Sequence, residues 1–408
     1  MREIRETWLV GYVRTPFGRA DPRRGYFRNV RSDDLGALVL NEVCRRTGIT
    51  PDDVDGVMLG AVEMMGEQAH PGTTVPFLAG FPSHVIGLSV ERACTTAMMS
   101  IHLAAMNVML GQGDVYIAGG LDSMTHFRIP TIKDGMSMED VVKQAGTMLS
   151  VMNPNPRMAE IINLIELNGG QGAEKLADRY GITREEMDQW ALMSHQRAIA
   201  ARDRLREEMI PVEGLLPDDT KSLIDHDQGP RADTTIEKIR SLAPVYRDDG
   251  KISAATSSGQ ADGAAVCVVM SAERARELGL APIARIHTLG AGACHPTDLI
   301  YSAIPAIQNA LRLSDLDIRD FGLVEVNEAF ACAPIAVMKE FGLPDRDRER
   351  INVNGGACAI GHPVGASGAR LVGTIGLEMQ RRGTRYGLAA ICGGMGQGAA
   401  TVLELVEG

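Results

Sequence analysis

The sequence has 408 residues, of which 45% are hydrophobic, and its formal net charge at pH 7 is −11. A chain of this length and apolar content can bury a large core and is typical of about two to three domains. The acidic balance, with no run of Lys and Arg longer than a pair, argues against nucleic acid and anionic membranes as partners.

The N-terminal segment and the cysteines indicate the cellular compartment. The N-terminal segment MREIRETWLV is charged and lacks the apolar stretch of a signal peptide, and no segment is apolar over the length of a membrane helix. Seven scattered cysteines, an odd number, argue against a disulfide framework and fit a reducing compartment. We therefore expect a soluble, cytoplasmic protein in which any special cysteine is catalytic.

Strands and helices alternate along the first third of the sequence. Strand patterns occur at Glu6 to Val13, Val54 to Leu59 and Val115 to Ala118. Ser32 caps an amphipathic helix that ends at Gly48. This alternation predicts an α/β fold, with a sheet that is covered by helices on both faces.

The segment from Thr125 to Gly250 differs in composition, because it is rich in Met, Asp, Arg and Lys. Helices are predicted at Gly172 to Tyr180 and at Arg184 to Arg206, and no part has a convincing strand pattern. A Met-rich run, Met136 to Met158, could close over an irregular ligand, although such spacing is more often ordinary core. We expect a mainly helical insertion, or lid.

Alternation returns at Lys251 and continues to the C-terminus. The predicted strands and helices, in order, are Ala264 to Met270, the helix Ser271 to Leu278, Ile283 to Leu289, Leu323 to Val326, the helix Ala331 to Phe341, Ile351 to Val353, the helix Val364 to Arg382, and Leu388 to Ile391. The expected division is an N-terminal half at 1–124, the lid at 125–250, a return to the N-terminal half at 251–279, and a C-terminal half at 280–408.

The first and last thirds resemble each other. GQGDVYIAGGLDSM and RRGTRYGLAAICGGMGQG each follow a long helix, cross a Gly, form a short apolar strand and reach Gly-Gly. Their helices begin just after Cys94 and just after His362. We infer two related α/β halves that hold a reactive residue at equivalent helix starts, around one shared centre.

Cys94 lies between a strand that ends near Val90 and a helix predicted from Thr95 to Leu110. A thiol at a helix N-terminus faces unpaired N–H groups and the positive end of the helix dipole, which favour the thiolate. A buried structural cysteine is the ordinary alternative. The stretches around His362 and Cys392 make a nucleophile the better interpretation.

The C-terminal stretches supply partners for that thiol. His362 stands between Gly and Pro at a glycine-rich turn and can serve as its base. Cys392 ends a buried strand, and the amides of Gly393 and Gly394 after it can form a nest for an oxyanion. Asn327 ends another strand, where its amide can orient a water or an oxyanion, or alternatively cap a helix that begins at Glu328.

Two short patterns could be mistaken for metal ligands. They are Cys294-His295 and the spacing from Cys358 to His362. Neither belongs to a complete set of four ligands, so no metal site is predicted.

Several motifs occur together over essentially the whole chain. VNEAFA, NVNGGACAIGHPVGASGAR and CGGMGQG, with GGLDSM and TSSGQADGAA upstream, resemble the signature segments of the thiolases, the acyl-CoA C-acetyltransferases. The resemblance implies a five-layered αβαβα fold of two similar halves with a lid. It also implies cleavage of a 3-ketoacyl-CoA by coenzyme A to acetyl-CoA and a shortened acyl-CoA, or the reverse condensation, with no permanently bound cofactor.

The resemblance assigns roles to five residues. Cys94 matches the nucleophile that carries the acyl group, and His362 matches the base for Cys94 and for the CoA thiol. Cys392 matches the cysteine that moves the proton at the α-carbon. Asn327, through a water and with His362, matches one oxyanion hole, and the amides of Cys94 and Gly394 match the other.

CoA contacts and assembly follow from the same resemblance. Arg231 in the lid matches an arginine that contacts CoA, and Ser258 resembles a serine beside the pantetheine arm. Thiolases are usually dimers or tetramers, so we expect a homodimer or homotetramer. The altered surroundings of Cys94 leave a requirement for an accessory subunit open.

The sequence also departs from the family pattern. Glu91, Thr96 and Ala97 replace an Asn before the nucleophile and a Ser-Gly pair after it. In the lid, Asn168-Gly169-Gly170 replaces a Met-Gly signature, and Leu299 replaces a Met in a second pocket loop. Loss of these Met side chains predicts a substrate bulkier than acetoacetyl-CoA, such as a branched, aromatic or carboxylated 3-ketoacyl-CoA.

Two alternatives share this pattern in part. A ketosynthase or a hydroxymethylglutaryl-CoA synthase-like enzyme has the same architecture and a Cys nucleophile, but the second cysteine, Cys392, favours thiolase. A non-catalytic acyl-CoA-binding subunit would not need the intact set of Cys94, Asn327, His362 and Cys392.

Overall fold

The computed structural model describes residues 4–127, 156–163 and 166–406. The N-terminal half begins with a fully buried strand and alternates as predicted. Its elements are β1 (Thr7–Arg14), β2 (Gly18–Arg19), α1 (Ser32–Thr47), β3 (Gly56–Gly60), α2 (Pro71–Leu78), β4 (Ile86–Val90), α3 (Thr96–Met109) and β5 (Val115–Ser123). Ser32 is the first residue of α1 and not its cap, because Arg31 holds the extended cap conformation.

The lid region contains two strands that the sequence pattern did not reveal. Its elements are α4 (Pro156–Ile161), α5 (Gly169–Arg179), α6 (Arg184–Ala200), α7 (Arg202–Glu207), β6 (Val212–Leu215), β7 (Lys221–Ile224) and α8 (Ile236–Arg240). β6 and β7 pair antiparallel as a separate ribbon, so the expectation of no strand was wrong. Their alternation lasts only four residues each, too short to stand out among charged neighbours. Most of the Met-rich run lies outside the described residues.

The C-terminal half repeats the N-terminal one after a last strand of the first sheet. The elements are β8 (Ala261–Ser271), α9 (Ala272–Glu277), β9 (Ala284–Ala293), α10 (Ala303–Ser314), β10 (Leu323–Val326), α11 (Cys332–Glu340), α12 (Ala357–Ile360), α13 (Ser367–Arg382), β11 (Tyr386–Ile391) and β12 (Gln397–Glu404). The strand predicted at Ile351 to Val353 is only a single bridge between Ile351 and Val324.

Strand order shows the relation between the halves. The first runs β4-β3-β5-β8-β1 and the second β10-β11-β12-β9. β3 is parallel to β5 and β10 is parallel to β11, whereas β8 and β12 run antiparallel to their neighbours. The bridge at Ile351 occupies the place of β4 in the second half. β1 and β9 pair beside each other through Trp8 and Leu9, and this joins the two sheets.

Three apolar cores separate the layers. α1 packs on one face of the first sheet, and α10 and α11 pack on the outer face of the second. The third core contains α3 and α13, which lie between the inner faces of both sheets; inward Ala389 and Ile391 alternate with outward Leu388 and Ala390. This confirms the predicted five-layered fold of two similar α/β halves.

The central helices approach each other closely. A Cβ on Gly368 of α13 would come within 2.8 Å of the Met98 Cβ on α3, so only a glycine fits here. Cys94 lies on the turn before α3, separated from it by Thr95, and His362 lies in the loop before α13. The two sequence stretches therefore meet at one end of the central layer. None of the described helices is long and apolar enough to cross a lipid bilayer.

Candidate active site

Cys94 lies on a tight turn, Ala93–Thr95, between β4 and α3. Ala93 has a φ of 48°, a conformation that is strained for a residue other than glycine. The Glu91 carboxylate accepts a hydrogen bond from the Ala93 N–H at 2.8 Å, and the Thr96 hydroxyl accepts one from the Arg92 N–H at 2.9 Å. Two residues that depart from the family pattern thus hold the turn that presents the sulfur.

The Cys94 sulfur is protonated in this environment. The residue keeps some solvent exposure, but its sulfur is enclosed enough for burial to raise the thiol pKa to about 11. Hydrogen bonds from the amides of Gly394 and of Cys94 itself oppose this rise, and the charges of Asp122 and Glu91 add to it. The amides at the helix start favour the thiolate, as expected, but desolvation outweighs them, so the thiol pKa is raised overall.

His362 is a buried, neutral imidazole with a defined tautomer. The Ser367 hydroxyl donates to the Pro363 carbonyl at 2.8 Å, so its oxygen accepts from the His362 Nδ1–H at 2.6 Å. Burial lowers the His362 pKa to about 3, and the Arg370 charge lowers it further. The ring lone pair that can accept a proton therefore lies on Nε2, so Nε2 is the atom that can act as a general base.

Asn327 faces that lone pair. Its Nδ2–H donates to His362 Nε2 at 3.3 Å, and its main-chain N–H donates to the Ala390 carbonyl at 2.9 Å. The side chain is 1% exposed, and its Oδ1 has no hydrogen-bond partner within the part of the chain that the structure describes. Buried polar atoms are rarely left unpaired, so this carbonyl is suited to a water or a ligand. The helix that Asn327 was alternatively expected to cap begins only at Cys332.

Glu328 is a residue whose importance the sequence did not reveal. Its buried carboxylate accepts hydrogen bonds from Trp190 Nε1 at 2.9 Å, Ser194 Oγ at 2.7 Å and Asn352 Nδ2 at 2.9 Å. The Cys358 N–H also donates to it, at 3.2 Å. Glu328 thereby joins α6 of the lid to the turn that carries Asn327 and to the glycine-rich loop before His362. Only its position beside Asn327 in VNEAFA could have indicated this.

Cys392 lies at the end of β11 and is 1% exposed. Burial, together with the nearby sulfurs of Cys94 and Cys332, raises its pKa well above the ordinary value. The following Gly393 N–H donates to the Ser302 hydroxyl at 3.2 Å. The predicted nest of Gly393 and Gly394 amides is therefore only half correct, because the Gly394 amide alone of the two faces the Cys94 sulfur.

A groove beside the His362 loop contains one of the two predicted CoA contacts. It encloses about 330 Å³, and Arg231, His195, Ser257, Gly259 and Gly361 are among its lining residues. Ser258 lies between two of the lining residues, and its N–H donates to the Ala329 carbonyl at 2.9 Å. Gly361 directly precedes His362, so the groove reaches the edge of the buried site.

The two pocket positions that lack Met differ in their surroundings. A Cβ on Gly169 would meet only the Phe330 ring among the described residues, at 3.1 Å, whereas a Cβ on Gly170 would collide with the Tyr246 ring. Leu299 is buried in the core of the C-terminal half. A Cβ is therefore a tight fit against Phe330 at Gly169 and is excluded by Tyr246 at Gly170.

No group of three or more potential metal ligands occurs within residues 4–127, 156–163 and 166–406. Cys294 and His295 bind instead to their own loop, through the Asp298 carbonyl and the Thr297 hydroxyl. Cys358 contacts the main chain of Glu328.

Comparisons with known proteins agree with this architecture. The family model of the thiolase N-terminal domain matches residues 7–273, and that of the thiolase C-terminal domain matches residues 280–405. The chain is 36% identical to a 3-ketoacyl-CoA thiolase of Marinomonas sp. (strain MWYL1) over 403 residues, which cover 98% of each chain. It is 37% identical to a 3-ketoacyl-CoA thiolase of Pseudoalteromonas translucida over 407 residues, which cover 98% of each.

Solved structures show the same fold. Human mitochondrial 3-ketoacyl-CoA thiolase has a TM-score of 0.87 at 30% identity, with 99% of each chain covered. The Bacillus anthracis acetyl-CoA acetyltransferase has a TM-score of 0.85 at 33% identity, with 100% of each covered. A five-layered fold whose buried centre holds thiols and a neutral histidine defines an acyl-transferring enzyme. The chain belongs to the thiolase family.

The protonated state of Cys94 leads to a first prediction. With a pKa of about 11, the thiolate fraction and hence the rate of alkylation by iodoacetamide should rise about tenfold per pH unit between about pH 7 and 9. Peptide mapping by mass spectrometry measures this rate at Cys94 itself, and Cys94→Ser is the control for labelling elsewhere. A rate that is already flat above neutral pH would show that the helix N-terminus, and not burial, sets the reactivity.

Proposed function

We propose that this enzyme cleaves a 3-ketoacyl-CoA by thiolysis through an acyl-enzyme on Cys94, and catalyses the reverse condensation. The observation that carries the proposal is an enclosed Cys94 sulfur that interacts with the Gly394 amide and lies near the Cys392 sulfur. Cys94 also packs in the apolar cluster of Val364, two residues after a neutral His362 whose Nε2 faces Asn327. Such a set offers a soft nucleophile, a base and donors for two separate oxyanions.

In the first half reaction, His362 Nε2 takes the Cys94 proton as the sulfur adds to C3 of the substrate. Because a thiol of high pKa faces a base of low pKa, free thiolate does not accumulate, and proton transfer accompanies the attack. The amides of Cys94 and Gly394 stabilise the oxyanion. The C2–C3 bond then breaks, its electron pair stays on C2 as an enolate, and the Cys392 thiol protonates C2 to release acetyl-CoA or a second acyl-CoA.

The second half reaction returns Cys94, His362 and Cys392 to their starting protonation states. The proton on His362 returns to the Cys392 thiolate, and His362 then accepts the proton of the incoming CoA thiol. The CoA sulfur attacks the Cys94 thioester, and Cys94 leaves with the proton from His362. Asn327 orients a water that, with His362, stabilises the enolate oxygen in the first half reaction. Removal of one oxyanion donor typically costs about 100-fold to 1,000-fold in rate.

The substrate acyl group is bulkier than that of acetoacetyl-CoA in this proposal. Support comes from the absence of a side chain at Gly169, which lets the adjacent Phe330 ring form one wall of the pocket. Phe330 and Tyr246 pack edge to face, with ring centroids 5.9 Å apart, and so form an apolar surface. An apolar wall favours a branched or aromatic group over a carboxylated one.

Coenzyme A is the co-substrate in this proposal, bound along the groove that contains Arg231, with Ser258 at its edge. A human mitochondrial 3-ketoacyl-CoA thiolase in complex with CoA is similar to this chain, with a TM-score of 0.84 at 30% identity over 99% of this chain and 98% of the other. No permanently bound cofactor is needed for the chemistry. All seven cysteines are free, which fits a reducing compartment such as the cytoplasm.

The enzyme acts as a homodimer, or as a homotetramer built from such dimers, through the edge strand β4. Apolar side chains are exposed there, with Ile86 at 65% and Phe77 of the adjacent α2 at 68%. An uncovered apolar edge strand is avoided in monomers, because it pairs with other chains. β4 leads directly into the Cys94 turn, so a second copy would also support that turn. No accessory subunit is then required.

A ketosynthase-like reaction is the alternative. Cys392 occupies the proton-transfer place, which favours thiolysis over decarboxylative condensation. Release of CO2 from a malonyl thioester would favour the alternative.

The acyl-enzyme leads to the second prediction. Mixing the protein with a panel of 3-ketoacyl-CoAs should add one acyl mass to the Cys94 peptide, and free CoA should remove it. Intact-mass and peptide mass spectrometry measure both steps, with Cys94→Ser as the unreactive control and Cys392→Ser as a variant that slows proton transfer. Absence of any adduct with every compound would contradict the proposed mechanism.

The missing side chain at Gly169 leads to the third prediction. Gly169→Met should place a side chain against the Phe330 ring and lower kcat/KM for branched or aromatic 3-ketoacyl-CoAs by about 10-fold or more, since each displaced apolar contact costs about 1 to 3 kcal/mol. Acetoacetyl-CoA turnover by the same variant is the internal control and should change little. Equal losses with both substrates would argue against a role of this position in substrate size.

The exposed edge leads to the fourth prediction. The native protein should elute as a dimer or tetramer in light-scattering chromatography, and Ile86→Asp should shift it toward monomer and reduce activity. Leu313→Asp changes a leucine of α10 that is 52% exposed and lies away from β4, and it serves as the control. Full activity of a monomeric native enzyme would refute the proposed interface.

A further inference from the structure

The groove beside His362 has a second arginine that none of the motifs had singled out. Arg19 of β2 lines it together with Arg231 of the lid. Both side chains are exposed, and neither has an ion-pair partner among the residues that the structure describes. Among the described residues, the nearby Asp21 and Asp233 carboxylates interact with the charges of Arg19 and Arg231, but neither binds its arginine at ion-pair distance.

The other titratable side chains described along the groove add no net positive charge, because they form an ion pair or are neutral. Lys238 Nζ forms an ion pair with Asp233 at 2.9 Å and also donates to the Asp233 carbonyl. His195 is neutral near pH 7, because burial lowers its pKa to about 4 and the Arg231 charge lowers it further. Its Nδ1 accepts the Arg231 N–H at 3.2 Å. The two arginines thus form a local positive site on a chain whose net charge is −11.

The fold sets Arg19 in this place through Gln228. The Gln228 Oε1 accepts the main-chain N–H groups of Arg19 and Tyr26, at 2.9 and 3.0 Å, and its Nε2 donates to the Arg24 carbonyl at 2.7 Å. Gln228 lies three residues before Arg231 in the same lid segment. One side chain therefore couples the strand that carries Arg19 to the segment that carries Arg231.

A buried ion pair anchors that lid segment to the sheet. The Arg14 guanidinium binds both oxygens of Asp227, at 2.7 and 2.9 Å, and the Phe17 N–H donates to the same carboxylate at 2.8 Å. Bidentate pairs of this kind fix geometry. The main-chain positions that carry the two groove arginines are therefore fixed relative to each other before a ligand arrives.

We propose that Arg19 is a second phosphate-binding residue, which with Arg231 binds the nucleotide phosphates of coenzyme A. The inference rests on the proposed function, because the ligand is its co-substrate. Guanidinium groups match phosphate oxygens in geometry and charge. A strongly anionic ligand that approaches a chain of net negative charge also needs local cations. Because Gly361 lines the same groove, a ligand held by its phosphates can extend its thiol arm toward His362.

The test compares substrates with and without phosphates. Arg19→Gln should raise KM for CoA by about tenfold with kcat unchanged, since a charge-assisted hydrogen bond contributes on that order. The same variant should act on a 3-ketoacyl pantetheine thioester, which has no phosphate, as well as the native enzyme does. Arg19→Lys should recover part of the loss, and Arg23→Gln, an exposed neighbour outside the groove, should have no effect.

Two further measurements identify which phosphate group Arg19 binds and separate this inference from the proposed function. If the tenfold effect persists with dephospho-CoA, Arg19 binds the diphosphate, and if it vanishes, Arg19 binds the 3′-phosphate. An equal KM increase with the pantetheine substrate, or no change with CoA, would overturn the proposal. Titration calorimetry with CoA alone measures the same loss of affinity without turnover. A native protein that binds CoA but does not cleave any 3-ketoacyl-CoA would refute the proposed function and leave the Arg19 assignment standing.

Discussion

The docking of α3 against α13 is the contact on which the rest of the structure depends. Each helix belongs to a different half, and each begins next to a residue of the candidate site. Gly368 allows the close approach that brings the two helix starts together. At the same end, the buried Asp122 carboxylate of the N-terminal half accepts the Gly365 N–H from the loop that follows His362. Neither half alone contains the complete constellation.

Burial at this junction decides the protonation states. It raises the pKa of Cys94 and lowers that of His362, so both groups are neutral before substrate binds. Burial also raises the pKa of Asp122 to about 7, although two main-chain N–H groups hold its charged form. The Cys94 thiol and the His362 imidazole are thus uncharged, and fixed donors such as the Gly394 amide and Asn327 Nδ2 face them. Such preorganised donors stabilise charge that develops only during a reaction.

Residues that depart from the family pattern form their own local network. Glu91 and Thr96 hold the strained turn at Ala93, because they accept hydrogen bonds from the main-chain N–H groups of Ala93 and Arg92. Their side chains supply contacts at the positions where the usual motif has other residues. The altered sequence around Cys94 is thus compatible with an ordered turn.

The sequence by itself determined the α/β alternation, the two related halves and the motifs that contain Cys94, Asn327, His362 and Cys392. These features are local, because periodicity, turn residues and motif order are written along the chain. Only the tertiary structure decided the protonation state of the nucleophile and the contacts that hold the site and the groove together. The Cys94 pKa depends on burial by segments far away in sequence. Glu328 accepts hydrogen bonds from donors in three parts of the chain. Gln228 couples the strand that carries Arg19 to the segment that carries Arg231. Contacts between residues far apart in sequence leave no local pattern, so they become visible only when the chain is folded.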